Sequence, residues 1–172
     1  IAAQLCKYAN YYARMVRPKY YSQKLAGGSD DPTKATPAIL AALYDIDRLD
    51  MSVSYPFVLE AFDDYASGQL SEAEFVSALR MIESYVMRRL VCNIPTNALG
   101  KVFAHLSREI DKLQYLDSLG AALATMKGSQ RLPPDDEFRE AFKSKDIYHQ
   151  QTRVKYILER LENFGKKELI SV

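Results

Sequence analysis

Apolar residues recur along this chain at spacings of three and four, the period of an α-helix, and alternate with polar residues over no useful length. The clearest run follows Ser71, which stands three residues before Glu74 in the spacing of a capping box. At about 100° per residue, Phe75, Leu79, Ile82, Val86 and Leu90 share one narrow stripe. Ser77, Arg80, Ser84 and Arg88 take the opposite face, so Arg88 reads as solvated surface. Arg89 and Asn93 fall inside the apolar stripe. An unpaired guanidinium is costly to bury, which predicts that Arg89 reaches a carboxylate or several backbone carbonyls. A contact to an anion or phosphate is the alternative use of such an arginine.

The same spacing predicts a helix over 5–16, with Leu5, Tyr8, Ala9, Tyr12, Met15 and Val16 as its stripe, interrupted at Pro18. Tyr8, Tyr11, Tyr12, Tyr20 and Tyr21 crowd this region, as rings at the edge of a core or as platforms for bases. The stretch from Ala26 to Pro32 reads as a flexible loop. Thr36 caps a helix that has Pro37 at its first position, buries Ile39, Leu43, Ile46 and Leu49, and leaves Asp45, Asp47, Arg48 and Asp50 outside or at the edge. Another helix starts near Ser54, turns Val58, Phe62 and Tyr65 inward and stops at Gly68. Thr96 and Asn97 cap a helix carrying Leu99, Val102, Phe103 and Leu106. Leu116, Leu119, Leu123 and Met126 mark another, stopped by Gly128. Pro133 and Pro134 open a short helix with Asp135, Asp136 and Glu137 in its first turn, where the dipole favours carboxylates. A last stripe runs Val154, Ile157, Leu158, Leu161 and Phe164, with Gly165 as the stop. The pattern predicts an all-α fold, a single domain of about seven or eight packed helices spanning 1–172.

Composition narrows the partners. The chain holds 172 residues, 48% hydrophobic and 26% charged, enough for one domain with a real core. Lys and Arg number 23 against 22 Asp and Glu, a balance that gives no global reason to bind nucleic acid or an anionic membrane. No apolar run approaches the ~18 residues of a membrane span, and no signal peptide is visible. Cys6 and Cys92 read as buried free thiols of a reducing compartment, hence a cytoplasmic protein. The chain opens on Ile1 inside a helical pattern and closes just after a helix stop, so both ends read as cuts in a longer protein.

Candidate chemistry is sparse. Asp63 to Glu74 imitates a calcium-binding EF-hand loop, with Gly68 at the turn and Leu70 at the apolar position, but Tyr65 stands where calcium needs an oxygen donor. His105 and His149 have no metal-ligand spacing around them. No phosphate loop, nucleophile elbow or metal cluster is present, so no catalytic residue is assigned. Arg153 and Arg160 lie seven apart on the last helix, with Lys166 and Lys167 following at its end; these four are the weak candidates for DNA contact.

The run Glu83, Tyr85, Arg88, Arg89, Cys92, Thr96, Asn97, Leu99, Lys101 and Phe103 resembles the central helical region of GmrSD-type, modification-dependent (type IV) restriction proteins of prokaryotes. Tyr55 to Phe57, the turn from Gly68 to Glu74, Pro134, Asp136 and Glu137 with Phe138 and Phe142, and the helix from Tyr156 to Glu162 are in keeping with it. The resemblance covers most of the chain from about Tyr55 onward. It implies a ParB-like NTPase domain before this segment and an HNH-type nuclease domain after it. NTP and divalent metal would belong to those domains, so the resemblance places no catalytic residue and no cofactor on this chain. It implies a helical connector in a phage-defence nuclease, with Arg88, Arg89, Asn93, Thr96, Asn97 and Lys101 as the motif residues and the flanking domains as partners. The alternatives are a stand-alone DNA-binding module, using Arg88 together with Arg153, Arg160, Lys166 and Lys167, and, further off, a calcium-responsive helical protein.

Overall fold

A computed structural model describes residues 2–26, 35–144 and 151–163, with the side chains of 26, 151 and 152 left aside. Among the described residues there are nine α-helices and no strand. They are α1 (Ala2–Val16), α2 (Pro18–Ala26), α3 (Pro37–Arg48), α4 (Tyr55–Ala66), α5 (Glu72–Val91), α6 (Leu99–His105), α7 (Tyr115–Thr125), α8 (Asp135–Ser144) and α9 (Gln151–Glu162). The all-α domain is as the periodicity predicts. The count is higher because Pro18, which lacks an N–H and was expected to interrupt or kink the first helix, begins a helix of its own.

The middle of the molecule is α5, which packs against α3, α4, α7 and α8. Its start is the capping box read from the spacing: the Ser71 hydroxyl accepts from the Glu74 N–H at 3.3 Å, and the Ser71 N–H donates to the Glu74 carboxylate at 2.8 Å. Phe75, Leu79, Ile82 and Val86 are buried as the stripe demands. Its exit is a Schellman turn: Asn93 takes a left-handed φ of 55°, its N–H donates to the Leu90 carbonyl, and the Ile94 N–H donates to the Arg89 carbonyl at 2.9 Å. Gly68, with φ 82°, ends α4 in the same way.

One contiguous core runs from Tyr11 to Ile157, with Phe57, Phe62, Phe75 and Tyr85 at its centre. The Tyr11 ring stacks on Phe62 at 4.5 Å, and Phe62 meets Phe75 at 5.3 Å. This contact sets the rotation of α1 and corrects its expected stripe. Tyr11 and Met15 are buried, while Leu5 and Tyr12 are exposed, because the tyrosines can bury a ring and still satisfy a hydroxyl. Cys6 is exposed and Cys92 half-buried, contrary to the buried thiols expected; neither is in a disulfide, Cys6 lying on the outer face of α1 and Cys92 in the cap of α5. On α9, Tyr156 and Ile157 face inward, whereas Leu158 and Leu161 remain exposed. Among the described residues, no helix is long and apolar enough to cross a membrane.

Candidate functional site

Two polar constellations flank α5, one on each side of its apolar stripe. The first is built on Tyr85, Arg88 and Arg89. Arg89 is 1% exposed. Its Nη2 donates to the Pro95 carbonyl at 2.8 Å and its Nη1 to the Arg131 carbonyl at 3.1 Å. The guanidinium also lies 5.3 Å from the ring centre of Tyr85, one turn earlier. The Tyr85 hydroxyl donates to the Gln130 carbonyl at 2.6 Å. Arg88 continues the row, its Nη1 donating to the Pro133 carbonyl at 3.2 Å and its Nη2 pairing with Asp135 at 2.5 Å. Thus three side chains of one helix hold the carbonyls of 130, 131 and 133, in the stretch that leads into α8. Gln130 closes a 3₁₀ turn (Gly128–Gln130), and Pro133 and Pro134 keep the chain extended after it, so the carbonyls of 131 and 133 project sideways instead of entering a helix.

Burial pushes the pKa of Arg89 down, but a guanidinium stays protonated under protein conditions. The carbonyls meet the buried charge at both Nη atoms without a carboxylate, while its Nε is buried without a hydrogen-bond partner. Arg88 departs from the solvated face expected of it. A single-helix projection says which side a residue takes, and here the first turn of α8 stands on that side. The Phe138 ring lies 5.3 Å from its guanidinium.

The second constellation joins α3, α5 and α9. Arg80 bonds Asp45 and Glu83, each at 2.5 Å. Tyr156 donates its hydroxyl to Glu83, and Arg160 approaches Glu83 at 3.4 Å and Asp45 at 3.8 Å. Next to them Arg48 pairs with Glu159, its guanidinium held between the rings of Tyr44 and Tyr156 at 5.6 Å from each. Its Nη2 is buried without a hydrogen-bond partner. Burial pushes the Asp45 carboxyl and the Tyr156 hydroxyl up. Burial opposes the charge on Arg80, but the bonds from Glu83 and Asp45 outweigh it and hold its pKa above the ordinary value. Three acids (Asp45, Glu83, Glu159) and three arginines (Arg48, Arg80, Arg160) therefore balance across the joint. Clefts of about 510 and 710 Å³ open on its two sides. The helical pattern placed Asp45 outside or at the edge, and it is half-buried; the pattern assigned Glu83 no role. The available signal was that Glu83 lies about 80° from Phe75, at the margin of the stripe, with Arg80 three residues before it.

The remaining motif residues do not join either group. Thr96 and Asn97 lie in a 3₁₀ turn (Thr96–Ala98) before α6, both exposed, and neither side chain caps it, contrary to expectation. The chain enters α6 through that turn with helical dihedrals at Ala98, so no extended cap position exists for them. Lys101 is exposed on α6. Asn93 is exposed as well, because α5 ends at Val91 and the left-handed turn carries position 93 out of the stripe. Arg153 is half-buried and Arg160 is drawn into the α3–α5–α9 joint; Lys166, Lys167 and His149 lie outside the described residues.

The carboxylates of the loop from Asp63 to Glu74 are divided among separate partners. Asp63 accepts from Tyr8 at 3.1 Å and pairs with Lys7, Asp64 pairs with Lys112, and Glu74 caps α5. Asp135 and Glu137 likewise pair with Arg88 and Arg131, the latter through two bonds of 2.5 and 2.6 Å. Compared with known proteins, the chain matches no family model, no curated protein and no solved structure.

Proposed function

We propose that the chain is a non-catalytic helical connector of a GmrSD-like restriction protein, one that positions an NTPase domain and a nuclease domain and serves in prokaryotic defence against phage DNA. The observation that carries this reading is the use made of the Arg88-Arg89 pair: both guanidinia hold the chain's own carbonyls and Asp135. Arginines committed in this way fix how α5 meets α8. A connector needs such a fixed angle if it is to relay a change from one end to the other. NTP and divalent metal would act in the flanking domains, and the cytoplasm is the compartment such a protein would occupy.

The experiment is a comparison of the purified chain and the full-length protein. The chain with magnesium, ATP or GTP and plasmid DNA is expected to hydrolyse and cleave nothing. In the full-length protein, Arg89→Ala is expected to preserve NTP hydrolysis and abolish DNA cleavage. Turnover by the chain alone, or undiminished cleavage by the variant, would refute the connector role.

A further inference from the structure

The first acidic residue of the chain is Asp30. Before it stand Lys7, Arg14, Arg17, Lys19 and Lys24, so α1 and α2 are a cationic pair of helices with no carboxylate, in a chain whose overall charge is only +1. Two of the five cations are already used. Lys7 pairs with Asp63, and Arg14 is buried, bonding the Asn10 carbonyl at 2.8 Å with its guanidinium 4.6 Å from the Tyr21 ring centre. Arg17, Lys19 and Lys24 are exposed, and none of them has an ion pair among the described residues. Elsewhere in the chain, Arg48, Arg80, Arg88, Lys112, Arg131 and Lys143 all face carboxylates.

The three sit together. The Tyr21 N–H donates to the Arg17 carbonyl at 3.3 Å, so Arg17 belongs to the helical turn that begins α2. Pro18 is buried and Tyr21 and Leu25 are half-buried, which fixes the inward face of α2. At about 100° per residue, Lys19, Tyr20, Gln23, Lys24 and Arg17 then occupy one outward arc of about 160°. From Arg17 to Lys24 the arc runs about 10 Å along the helix. Tyr20, 58% exposed, is the one ring on it.

From this arc we infer a second activity for the chain: the outer face of α2 binds the phosphate backbone of nucleic acid through Arg17, Lys19 and Lys24, with Tyr20 beside them to donate to a phosphate or stack on an unpaired base. The chemistry of the arc favours nucleic acid over a lipid surface. An amphipathic helix that enters a bilayer must offer it an apolar face, and the apolar residues of α2 other than Tyr20, namely Pro18, Tyr21 and Leu25, are buried or half-buried. What α2 offers outward is cations, one amide, one hydroxyl and one phenol. The inference goes beyond the connector reading, which asks for no nucleic-acid contact from this chain and survives if the contact is absent.

The test is fluorescence anisotropy of the purified 172-residue chain with a labelled duplex and a single strand of equal length, in a salt series. With three phosphates neutralised, affinity should fall about 40-fold between roughly 50 and 200 mM salt. The variant Arg17→Gln/Lys19→Gln/Lys24→Gln should flatten that slope with an unchanged melting temperature, while Arg108→Gln/Lys127→Gln, which removes two exposed cations elsewhere, should bind as wild type. If the triple variant melts early, Lys24→Glu alone decides, by weakening binding in a folded chain. Tighter binding of the single strand would assign Tyr20 a base; tighter binding of the duplex would assign a contact to the backbone alone, and either upholds the inference. Absence of binding at low salt, an equal slope in the variant, or stronger capture by phosphatidylserine vesicles than by either nucleic acid overturns it.

Discussion

At Arg89 a guanidinium gives up its water for two backbone carbonyls and the face of one ring. Arg89→Ala strands the carbonyls of Pro95 and Arg131 and opens a cavity, which together should cost about 3 kcal/mol. Arg89→Lys keeps the charge but replaces a planar fork by a point donor that cannot span both acceptors, and should cost about 1–2 kcal/mol. Urea unfolding followed by circular dichroism checks both; a loss near zero for Arg89→Ala would remove the residue from the structural account. The helical projection showed that Arg89 must be buried and satisfied, because period and burial are properties of one helix. It could not show what satisfies it, since Pro95 lies past the end of the helix and Arg131 stands 42 residues beyond Arg89 along the chain. The same projection failed at Arg88 for that reason: it lies off the apolar stripe of α5 and is covered by the first turn of α8, distant in sequence.

At the scale of elements, starts and stops were the most legible features. Ser71 with Glu74, Thr36 with Pro37, and Gly68 act locally, and their geometry follows from a few neighbouring residues. The face of α1 was less legible. Tyrosine can serve as core or surface, and Phe62 and Asp63 on α4 decide which. Asp63 also makes the docking of α1 sensitive to acid. Burial pushes its carboxyl up, but the bonds from Lys7 and Tyr8, with Tyr11 added, outweigh this and hold its pKa below 3.8. A carboxylate held low in the folded state adds stability above its unfolded value, and that stability is lost as pH falls through the folded one. Amide exchange at the α1–α4 contact is therefore expected to accelerate below about pH 4, and Asp63→Asn should show the fast rate already at neutral pH. Equal rates in the variant and the wild type at neutral pH would show that the carboxylate does not hold α1.

Across the whole molecule, stability is uneven by construction. The centre is apolar and aromatic, from Phe57 to Phe103, whereas α9 is joined to it by two inward side chains, Tyr156 and Ile157, and a belt of charges. Glu83→Gln and Tyr156→Phe should release α9, raising its amide exchange by at least about tenfold, with α5 and α7 still protected. A uniform rise across all helices would instead make α9 part of one cooperative unit. The all-α architecture was readable because helical period survives without knowledge of neighbours. The charge belt was not, because its members come from α3, α5 and α9, separated by long stretches of chain.

The grip of α5 on carbonyls has a consequence for how the gene can drift. Tyr85 and Arg89 touch Gln130 and Arg131 through atoms that every amino acid shares, so the contact inspects the path of that segment and ignores its letters. Position 130 is free to vary among lineages wherever the path is kept, and position 131 answers only to Glu137, which its side chain holds by two bonds, whereas 85 and 89, and the prolines that keep the path extended after 131, are not free. A substitution map of this chain would therefore show two facing surfaces of one joint with opposite tolerance.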